Sequence, residues 1–282
     1  MVHGPLNASP EFRGKSGKGL YGDAVAEVDW SVGRILDKLR KLGIDRNTLV
    51  LFTSDNGGGG RGRDSSNAPY SGGKATPAEG GFRVPTIAWW PGTIPGGTAC
   101  DLMASTVDLL PTFAALSGSA HQASAKRPID GLDLSNLFQG PLPGTSPRDS
   151  FVYYNLGRLS AVRQGKWKLY RQPARFSAAG RGAQLVVPNG ALFDLEKDPA
   201  ESSNVAAQHP DVVQRLKHFA DQIAAKLGER AGEGTEVRAA GFVDQAKPLN
   251  ASAVRKTSAA NTDKTLCGRV RTSPCASSST RA

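Results

Sequence analysis

The spacing of apolar residues divides the chain into an early part with a long helix and covered strands, and a later part of short strands. Residues 21–43 carry apolar side chains at helical spacing, which predicts an amphipathic helix with one buried face. The apolar positions are Val25, Val28, Val32, Ile35, Leu36, Leu39 and Leu42. Gly43 is a plausible C-terminal stop for this helix. Residues 48–54 then contain five nonpolar or β-branched residues in a row, which is typical of a strand covered on both faces.

Two further elements continue this pattern. Residues 84–92 predict a second covered strand, and residues 105–118 predict a helix in which Pro111 lies near an end or a kink. A helix, a short turn and a covered strand in succession indicate an α/β fold. We therefore expect a partial, mainly parallel sheet flanked by helices.

The texture changes after about residue 140, where short strand-like segments alternate with turns. A helix is predicted from Pro210, which suits a first helical turn, and its apolar stripe is Val213, Leu216, Phe219, Ile223 and Leu227. These features predict a smaller antiparallel sheet with a closing helix. The expected organisation is an α/β part at 1–140, an antiparallel part at 141–250 and a disordered basic tail at 251–282.

Composition narrows the function. An apolar fraction of 39% over 282 residues is enough for a core, and the net charge of +10 raises the possibility of a nucleic-acid partner. The segment 251–282 holds six Lys and Arg against one Asp, about half of the excess, and the remainder has no basic helix with interleaved aromatics. We therefore expect no nucleic-acid partner. No apolar run approaches the roughly 18–20 residues of a membrane span, so no membrane partner is expected.

Cysteine usage indicates neither a disulfide framework nor a zinc site. Cys100 stands alone, and Cys267 and Cys275 lie in the predicted tail. The first residues of the chain do not have the pattern of a signal peptide.

The candidate chemistry lies where the first covered strand stops. Asp55 and Asn56 follow that strand and precede four glycines. Ligands of parallel α/β sheets bind beyond the carboxyl ends of the strands, and carboxylate and amide oxygens suit Ca²⁺ or Mg²⁺. The same residues are favoured in tight turns, and taken alone they fit a turn better. Lys74, on a later glycine-rich loop, could hold an anion as a point charge or could simply be exposed.

Several long motifs in order resemble the sulfatase family, the arylsulfatase-like branch of the alkaline phosphatase superfamily. The resemblance is carried by "GLYGDAVAEVDWSVGRILDKLRKLGIDRNTLVLFTSDNG", "GGKATPAEGGFRVPTIAWWPG", "STVDLLPTFAALSG", "AVRQGKWKLYR" and "LFDLEKDPAESSNVA". It covers about residues 1–245. It implies hydrolysis of sulfate esters with Ca²⁺ and a formylglycine nucleophile.

The resemblance also implies roles for matching residues. Asp55 and Asn56 match the pair that ligates Ca²⁺, and Lys74 matches the lysine that holds the sulfate group. His3, in "HGPL", matches the active-site histidine, which could bind a sulfate oxygen or protonate the leaving alcohol. We interpret Glu79 and Arg83 as residues that fix the loop rather than as catalytic groups.

The chain departs from the family in one respect that concerns catalysis. The Cys-x-Pro-x-Arg or Ser-x-Pro-x-Arg segment that yields formylglycine is missing from this sequence, as is the family's early Asp-Asp metal pair. We therefore expect a truncated portion that is inactive by itself. The alternatives are a related phosphoester or phosphonate hydrolase and a non-catalytic anion-binding remnant.

The expected partner is a sulfated small molecule or a sulfated carbohydrate. The family is often exported, but the sequence indicates neither localisation nor oligomeric state.

Overall fold

The computed structural model describes residues 5–59, 65–119, 129–140, 142–179 and 184–238. By contacts the chain divides into two units, and the first, Met1–Val237, contains every element described below. The predicted tail at 251–282 lies outside the described residues. None of the described helices is long and apolar enough to cross a membrane.

The first part of the fold contains a long helix, a two-stranded sheet and two shorter helices. The elements are α1 (Gly19–Lys41), β1 (Val50–Thr53), α2 (Glu79–Phe82), β2 (Thr86–Trp89) and α3 (Leu109–Leu116). The positions confirm the predicted helix at 21–43 and the predicted strands at 48–54 and 84–92. The predicted cover on both faces of these strands is wrong within the described residues, since Phe52 is 38% exposed and Ile87 62%. The predicted helix at 105–118 is a 3₁₀ turn (Thr106–Asp108) that leads into α3, with Pro111 in the first turn of α3 and not at a kink.

The pairing of β1 and β2 differs from the expected parallel sheet. The two strands pair antiparallel, with Val50 opposite Trp89 and Thr53 opposite Thr86. The described strands form no parallel pair. The loop between β1 and β2 returns on itself, since the Gly57 amide donates to the Gly81 carbonyl at 3.1 Å, so β2 runs back along β1. An apolar run indicates that a strand is covered but carries no information on its direction.

The predicted apolar stripe of α1 forms as a helix face but is not buried within the part of the chain that the structure describes. Its buried residues are Asp23 and Ala24. Val25 is 42% exposed, Ile35 57% and Leu42 56%. The other four residues of the stripe are half-buried. The prediction of a buried face is therefore wrong within the described residues, because no packed layer there covers the whole stripe.

The described residues of the later part form six strands and a helix, where the turn-rich pattern predicts short strands and a closing helix. The strands are β3 (Ser150–Asn155), β4 (Arg158–Gln164), β5 (Trp167–Tyr170), β6 (Ala174–Ser177), β7 (Gln184–Val187) and β8 (Leu192–Asp194). One antiparallel sheet has the order β3-β4-β5-β8, and β6 and β7 form a separate antiparallel pair. The predicted antiparallel sheet is therefore confirmed.

The closing helix is α4 (Pro210–Leu227), which begins at Pro210 as predicted. Its buried residues are Val212, Leu216 and Ala220. They pack with Leu159, Val162, Leu169 and Leu192 of the four-stranded sheet in one apolar cluster. On the opposite face of the sheet a second cluster joins Tyr153, Ala161, Tyr170 and Phe193 to Phe176 of β6 and to Ala78 of the first part. The core therefore lies mainly around this sheet, and its second cluster reaches the loop before α2.

Candidate functional site

Two loops after β1 bring together three of the four predicted site residues. Asp55 and Asn56 follow the end of β1, and Lys74 lies on the loop that leads to α2. The Lys74 backbone amide donates to the Gly58 carbonyl at 3.1 Å, which joins the two loops directly. His3, the fourth predicted residue, lies outside the described residues.

Glycines at the contact between these loops allow their backbones to interlock. A Cβ on Gly57 would lie 1.7 Å from the Gly80 carbonyl oxygen, and a Cβ on Gly73 would lie 2.3 Å from the Gly58 carbonyl oxygen. Neither approach is possible for a residue with a side chain. Gly57 and Gly73 are therefore required by the approach of one loop to the other.

Asn67 fastens the two loops together, and sequence reasoning missed it. Its side-chain oxygen accepts from the Gly58 amide at 2.9 Å, and its side-chain nitrogen donates to the Gly58 and Gly72 carbonyls at 3.0 and 2.9 Å. These bonds satisfy backbone groups of both loops and add to the bond between the Lys74 amide and the Gly58 carbonyl. An asparagine in a Gly- and Ser-rich stretch is indistinguishable from an ordinary turn residue in the sequence alone.

The Asp55 carboxylate is exposed and charged. The Asn56 side chain donates a short hydrogen bond to it. That bond is the main reason that the pKa of Asp55 lies below its ordinary value; partial burial opposes the shift, and the Lys74 ammonium adds to it. The charges of Asp55 and Lys74 therefore interact, and both side chains are exposed.

The Asn56 amide oxygen is a buried acceptor without a hydrogen-bond partner. Such an atom costs about 1–3 kcal/mol when it is left unpaired. Its neighbour Asp55 supplies a carboxylate, and oxygen atoms of both kinds are ligands that Ca²⁺ prefers. These two residues fit a cation site in chemistry but supply too few ligands to complete one. No group of three or more His, Cys, Asp and Glu side chains in the described part of the chain could hold a metal ion.

Glu79 and Arg83 fix the loop that carries Lys74, which confirms their predicted role. Arg83 Nε lies 2.8 Å from Glu79 Oε2, and the Arg83 guanidinium also stacks on the Tyr70 ring at 4.8 Å. Arg83 donates to the Tyr70 hydroxyl at 3.0 Å. The same arginine therefore ties both ends of the segment 70–83 to each other.

A fully buried cluster of charges lies behind this loop, defined by Glu79, Lys168 and Glu201 and called here the buried cluster. Lys168 Nζ lies 3.0 Å from Glu79 Oε1 and 2.8 Å from Glu201 Oε1. Its ammonium also lies 4.0 Å from the centre of the Tyr153 ring. The two buried carboxylates share a single buried ammonium, and Arg83 and Arg163 lie beside Glu79 from the more exposed side.

The titration of Glu79 reflects these partners. Burial alone would raise its pKa, but the Lys168 ammonium and hydrogen bonds from Tyr153 and Arg83 outweigh burial and lower the pKa to about 2. Burial and the nearby carboxylates hold the pKa values of Tyr153 and Tyr170 well above their ordinary value. Both hydroxyls stay protonated and donate at 2.7 Å, Tyr153 to Glu79 and Tyr170 to Glu201.

The segment that follows His3 in sequence is anchored on α1. Asp23 accepts the backbone amides of Gly14 and Ser16 at 2.7 and 2.9 Å, and Glu27 accepts the amide of Ser9 at 2.8 Å. The two carboxylates lie one helical turn apart on α1. The residues after His3 are therefore held by polar side chains of α1, and the Phe12 ring also packs against Trp30 of α1 at 5.6 Å between ring centres.

A separate cleft of about 360 Å³ lies between β5 and α4. Its charged lining is largely paired within itself, with Arg171 bridging Asp221 and Glu229. None of its lining residues belongs to the loops that carry Asp55, Asn56 and Lys74. Glu229 Oε2 in this cleft is also buried without a hydrogen-bond partner, so an unpaired acceptor does not distinguish the two places. We assign the candidate site to the loops because Asp55, Asn56 and Lys74 lie there.

Comparison with known proteins defines the class to which these loops belong. The sulfatase family model matches residues 2–119, and the model of the C-terminal region of aryl-sulfatase matches residues 146–239. The two matches together cover most of the chain. The chain belongs to the sulfatase family and corresponds to the C-terminal portion of its members.

Individual relatives agree with the family models. The chain is 37% identical over 246 residues to N-acetylgalactosamine-6-sulfatase of Canis lupus familiaris, covering 78% of this chain and 46% of that protein. It is 36% identical over 258 residues to human steryl-sulfatase, covering 81% and 44%. The chain spans about half the length of the curated relatives it matches.

A solved structure supports the same fold. The crystal structure of the PsFucS1 sulfatase from Pseudoalteromonas sp. matches with a TM-score of 0.71 and 26% identity, over 81% of this chain and 47% of that one. The predicted relation to the alkaline phosphatase-like fold of sulfatases is therefore confirmed at the level of the family, while the parallel sheet is not.

Proposed function

We propose that this chain supplies half of the active site of a sulfuric ester hydrolase, namely the anion-binding lysine and part of a Ca²⁺ site. One observation carries the proposal. Asp55, Asn56 and Lys74 lie on two loops whose backbones interlock through glycines, so the backbone positions that carry a carboxylate, an unpaired amide oxygen and an ammonium are fixed relative to one another. This arrangement suits a sulfate group beside a hard cation.

The chemistry of the proposed site divides among these residues. Asp55 and the Asn56 amide oxygen would hold the cation from one side. When bound, Ca²⁺ supplies positive charge next to the sulfate oxygens. Lys74 binds a sulfate oxygen and balances the charge that develops as the S–O bond breaks. His3 would protonate the leaving alcohol or bind a sulfate oxygen.

We do not propose that this chain supplies the nucleophile of the reaction. The formylglycine segment of the family has no counterpart in the sequence, so the residues present do not fit that group. The exposed apolar stripe of α1 supports the view that the complete site includes the part of the fold that this chain does not span. We propose that the chain alone is inactive.

The substrate class is proposed as a sulfated small molecule or a sulfated carbohydrate. The relatives named above are called after a sulfated amino sugar and after steryl sulfates, and their identities to this chain are nearly the same. Overall identity therefore does not favour one of the two chemistries. We also propose the division into an α/β part at 1–140 and an antiparallel part at 141–250, which the ranges of the two family matches support.

The proposal can be tested by joining the chain to an N-terminal half of a sulfatase that bears the Cys-x-Pro-x-Arg segment. The joined protein is co-expressed with the formylglycine-generating enzyme and assayed with 4-nitrophenyl sulfate. We expect turnover from the joined protein and none from the chain alone, because loss of a covalent nucleophile costs many orders of magnitude.

Two variants of the joined protein sharpen this test. Lys74→Ala should lower kcat by about 100-fold or more, because a sulfate oxygen loses its cationic partner in a desolvated site. Asp55→Ala should lower activity and shift its dependence on Ca²⁺ to higher concentration. Full activity in Lys74→Ala would refute the role of the lysine, and turnover by the unjoined chain would show that a nucleophile is present elsewhere.

A further inference from the structure

The first residues of the loop that carries Lys74 are hydrogen-bonded to the later part of the chain. Ser71 is fully buried, and its hydroxyl donates to the Ala200 carbonyl at 2.6 Å and accepts the Ala179 amide at 3.0 Å. The next amide, that of Gly72, donates to the Ser177 carbonyl at 2.8 Å. Three bonds therefore fix the first end of the loop to residues more than 100 positions away in sequence.

The other end of the loop is fixed by the buried cluster. Lys168 Nζ donates to the Pro77 carbonyl at 2.8 Å, and Glu201 Oε2 accepts the Glu79 backbone amide at 2.7 Å. Lys168 also joins the side chains of Glu79 and Glu201. Lys168 and Glu201 therefore bind both the backbone of residues 77–79, at the end of the Lys74 loop, and the side chain of Glu79.

Between these two ends the loop is exposed and locally strained. Lys74 and Ala75 are exposed, and Ala75 has φ of 65°, in the left-handed region that disfavours residues with a Cβ. A conformation of this kind persists when the surrounding structure imposes it. The imposed constraints are the interlocked glycines at the tip and the bonds from the later part at both ends.

A buried group of two carboxylates and one ammonium contributes little net stability, because burying the charges costs desolvation free energy. Replacing such a group by apolar residues is often neutral or stabilising, whereas removing one member leaves an uncompensated charge. A fully satisfied network does define a single geometry. Here that geometry includes the backbone on which Lys74 stands.

We propose that Glu201 and Lys168 are positioning residues for Lys74, acting through the backbone of Pro77 and Glu79. The later part of the chain thereby sets the place of the anion-binding ammonium relative to Asp55 and Asn56. This inference rests on the proposed function of Lys74, and neither Glu201 nor Lys168 touches substrate.

A double-mutant cycle in the joined enzyme tests the inference with 4-nitrophenyl sulfate as the probe. Glu201→Gln is the main variant because it keeps the shape of the side chain. It replaces one of the two carboxylate oxygens of Glu201, which accept from the Glu79 amide and from Lys168, by an amide nitrogen. We expect kcat to fall by about 10-fold to 100-fold when Lys74 is present, the size expected for a displaced catalytic group. In the Lys74→Ala background the same change should lower kcat by less than about 2-fold, because both changes act on one interaction.

Lys168→Met serves as the second variant, and Lys166→Met is its matched control. Lys166 lies two residues away, immediately before β5, is 31% exposed and pairs with Asp194 at 2.9 Å, outside the buried cluster. Its replacement should leave kcat unchanged in both backgrounds. A fall in kcat of equal size with and without Lys74 would overturn the inference, since a variant that only reduces the folded fraction lowers activity in every background.

The outcomes separate this inference from the proposed function. If Lys74→Ala alone leaves kcat unchanged, the proposed function fails first. If Lys74→Ala lowers kcat but Glu201→Gln adds its full effect to it, positioning fails and the proposed function stands.

Hydrogen exchange of the chain as it exists provides a readout that needs no activity. In Glu201→Gln, amides of 71–83 should exchange at least about 10-fold faster, while the exchange rates in α4 should stay as in the unchanged chain. This difference would show that the loop opens locally. Unchanged exchange at 71–83 would overturn the inference, as would equal acceleration in α4, which would indicate loss of global stability.

Discussion

Helices α1 and α4 carry similar apolar stripes, but the two stripes differ in how far they are buried. The stripe of α4 packs on the four-stranded sheet, where Leu216 is 0% exposed and Val212 and Ala220 are buried with it. The stripe of α1 has no such layer within the described residues, and Ile35 remains 57% exposed. Helical spacing therefore predicts which residues share a face, but whether that face is covered depends on a partner that the pattern does not contain.

The comparison extends to the candidate site, which lies between the two regions. Asp55 and Asn56 follow β1, a strand of the sparsely packed early region, while the loop of Lys74 is bonded at both ends to the well-packed later region. The site therefore combines one loop that depends on β1 with another that depends on the later core. Substitutions in the two regions should separate these contributions.

The largest effect is expected from the buried cluster of the later region. Lys168→Met leaves the carboxylates of Glu79 and Glu201 buried without their shared ammonium, which should lower the free energy of unfolding by about 3–5 kcal/mol. Lys166→Met removes a partly exposed pair and should cost less than about 1 kcal/mol. Urea titrations of both variants measure the difference, and equal losses would contradict the assignment of Lys168 to a fully buried network.

A matched pair of apolar truncations compares the two helices directly. Leu216→Ala in α4 should cost about 2–5 kcal/mol, because it opens a cavity in a closed cluster. Ile35→Ala in α1 should change stability by no more than about 0.5 kcal/mol, as expected for an exposed position. The midpoint of urea unfolding monitors both variants. A large loss for Ile35→Ala would show that the α1 stripe is covered in solution, for example by a second copy of the chain.

Acid should weaken the buried cluster over a defined range. The pKa of Glu79 is about 2 in the folded chain and near 4.5 when unfolded, so its contribution is complete above about pH 4.5 and is lost as the pH falls toward 2. The difference corresponds to about 3 kcal/mol. Unfolding free energies from pH 6 to pH 3 should therefore fall less steeply in Glu79→Gln than in the unchanged chain. Parallel slopes would show that Glu79 does not titrate in this way.

Much of the local structure was predictable because local signals determine it. Pro210 at the start of α4, the stripe that contains Leu216 and the turn-rich run of short strands indicated the later part correctly. The direction of β2 relative to β1 was not predictable, because it follows from the contact of Gly57 with Gly81 across the loop.

The residues of the candidate site itself were predictable from the sequence, but the residues that support its loops were not. Asp55, Asn56 and Lys74 belong to motifs that are contiguous in sequence. Lys168 sits in a strand pattern where a lysine is normally exposed, and its partners Glu79 and Glu201 lie 89 and 33 positions away. No local pattern links these three residues, so the support of the Lys74 loop required the folded structure.

The most direct measurement of the central claim is hydrogen exchange of the unaltered chain, followed by peptide from region to region. The Lys74 loop is bonded at both ends to the later core. Amides of 71–83 should therefore be protected to a degree similar to β4 and β5, while most of α1 exchanges much faster because its apolar face is uncovered. Exchange at 71–83 as fast as in α1, with β4 and β5 still protected, would contradict the account.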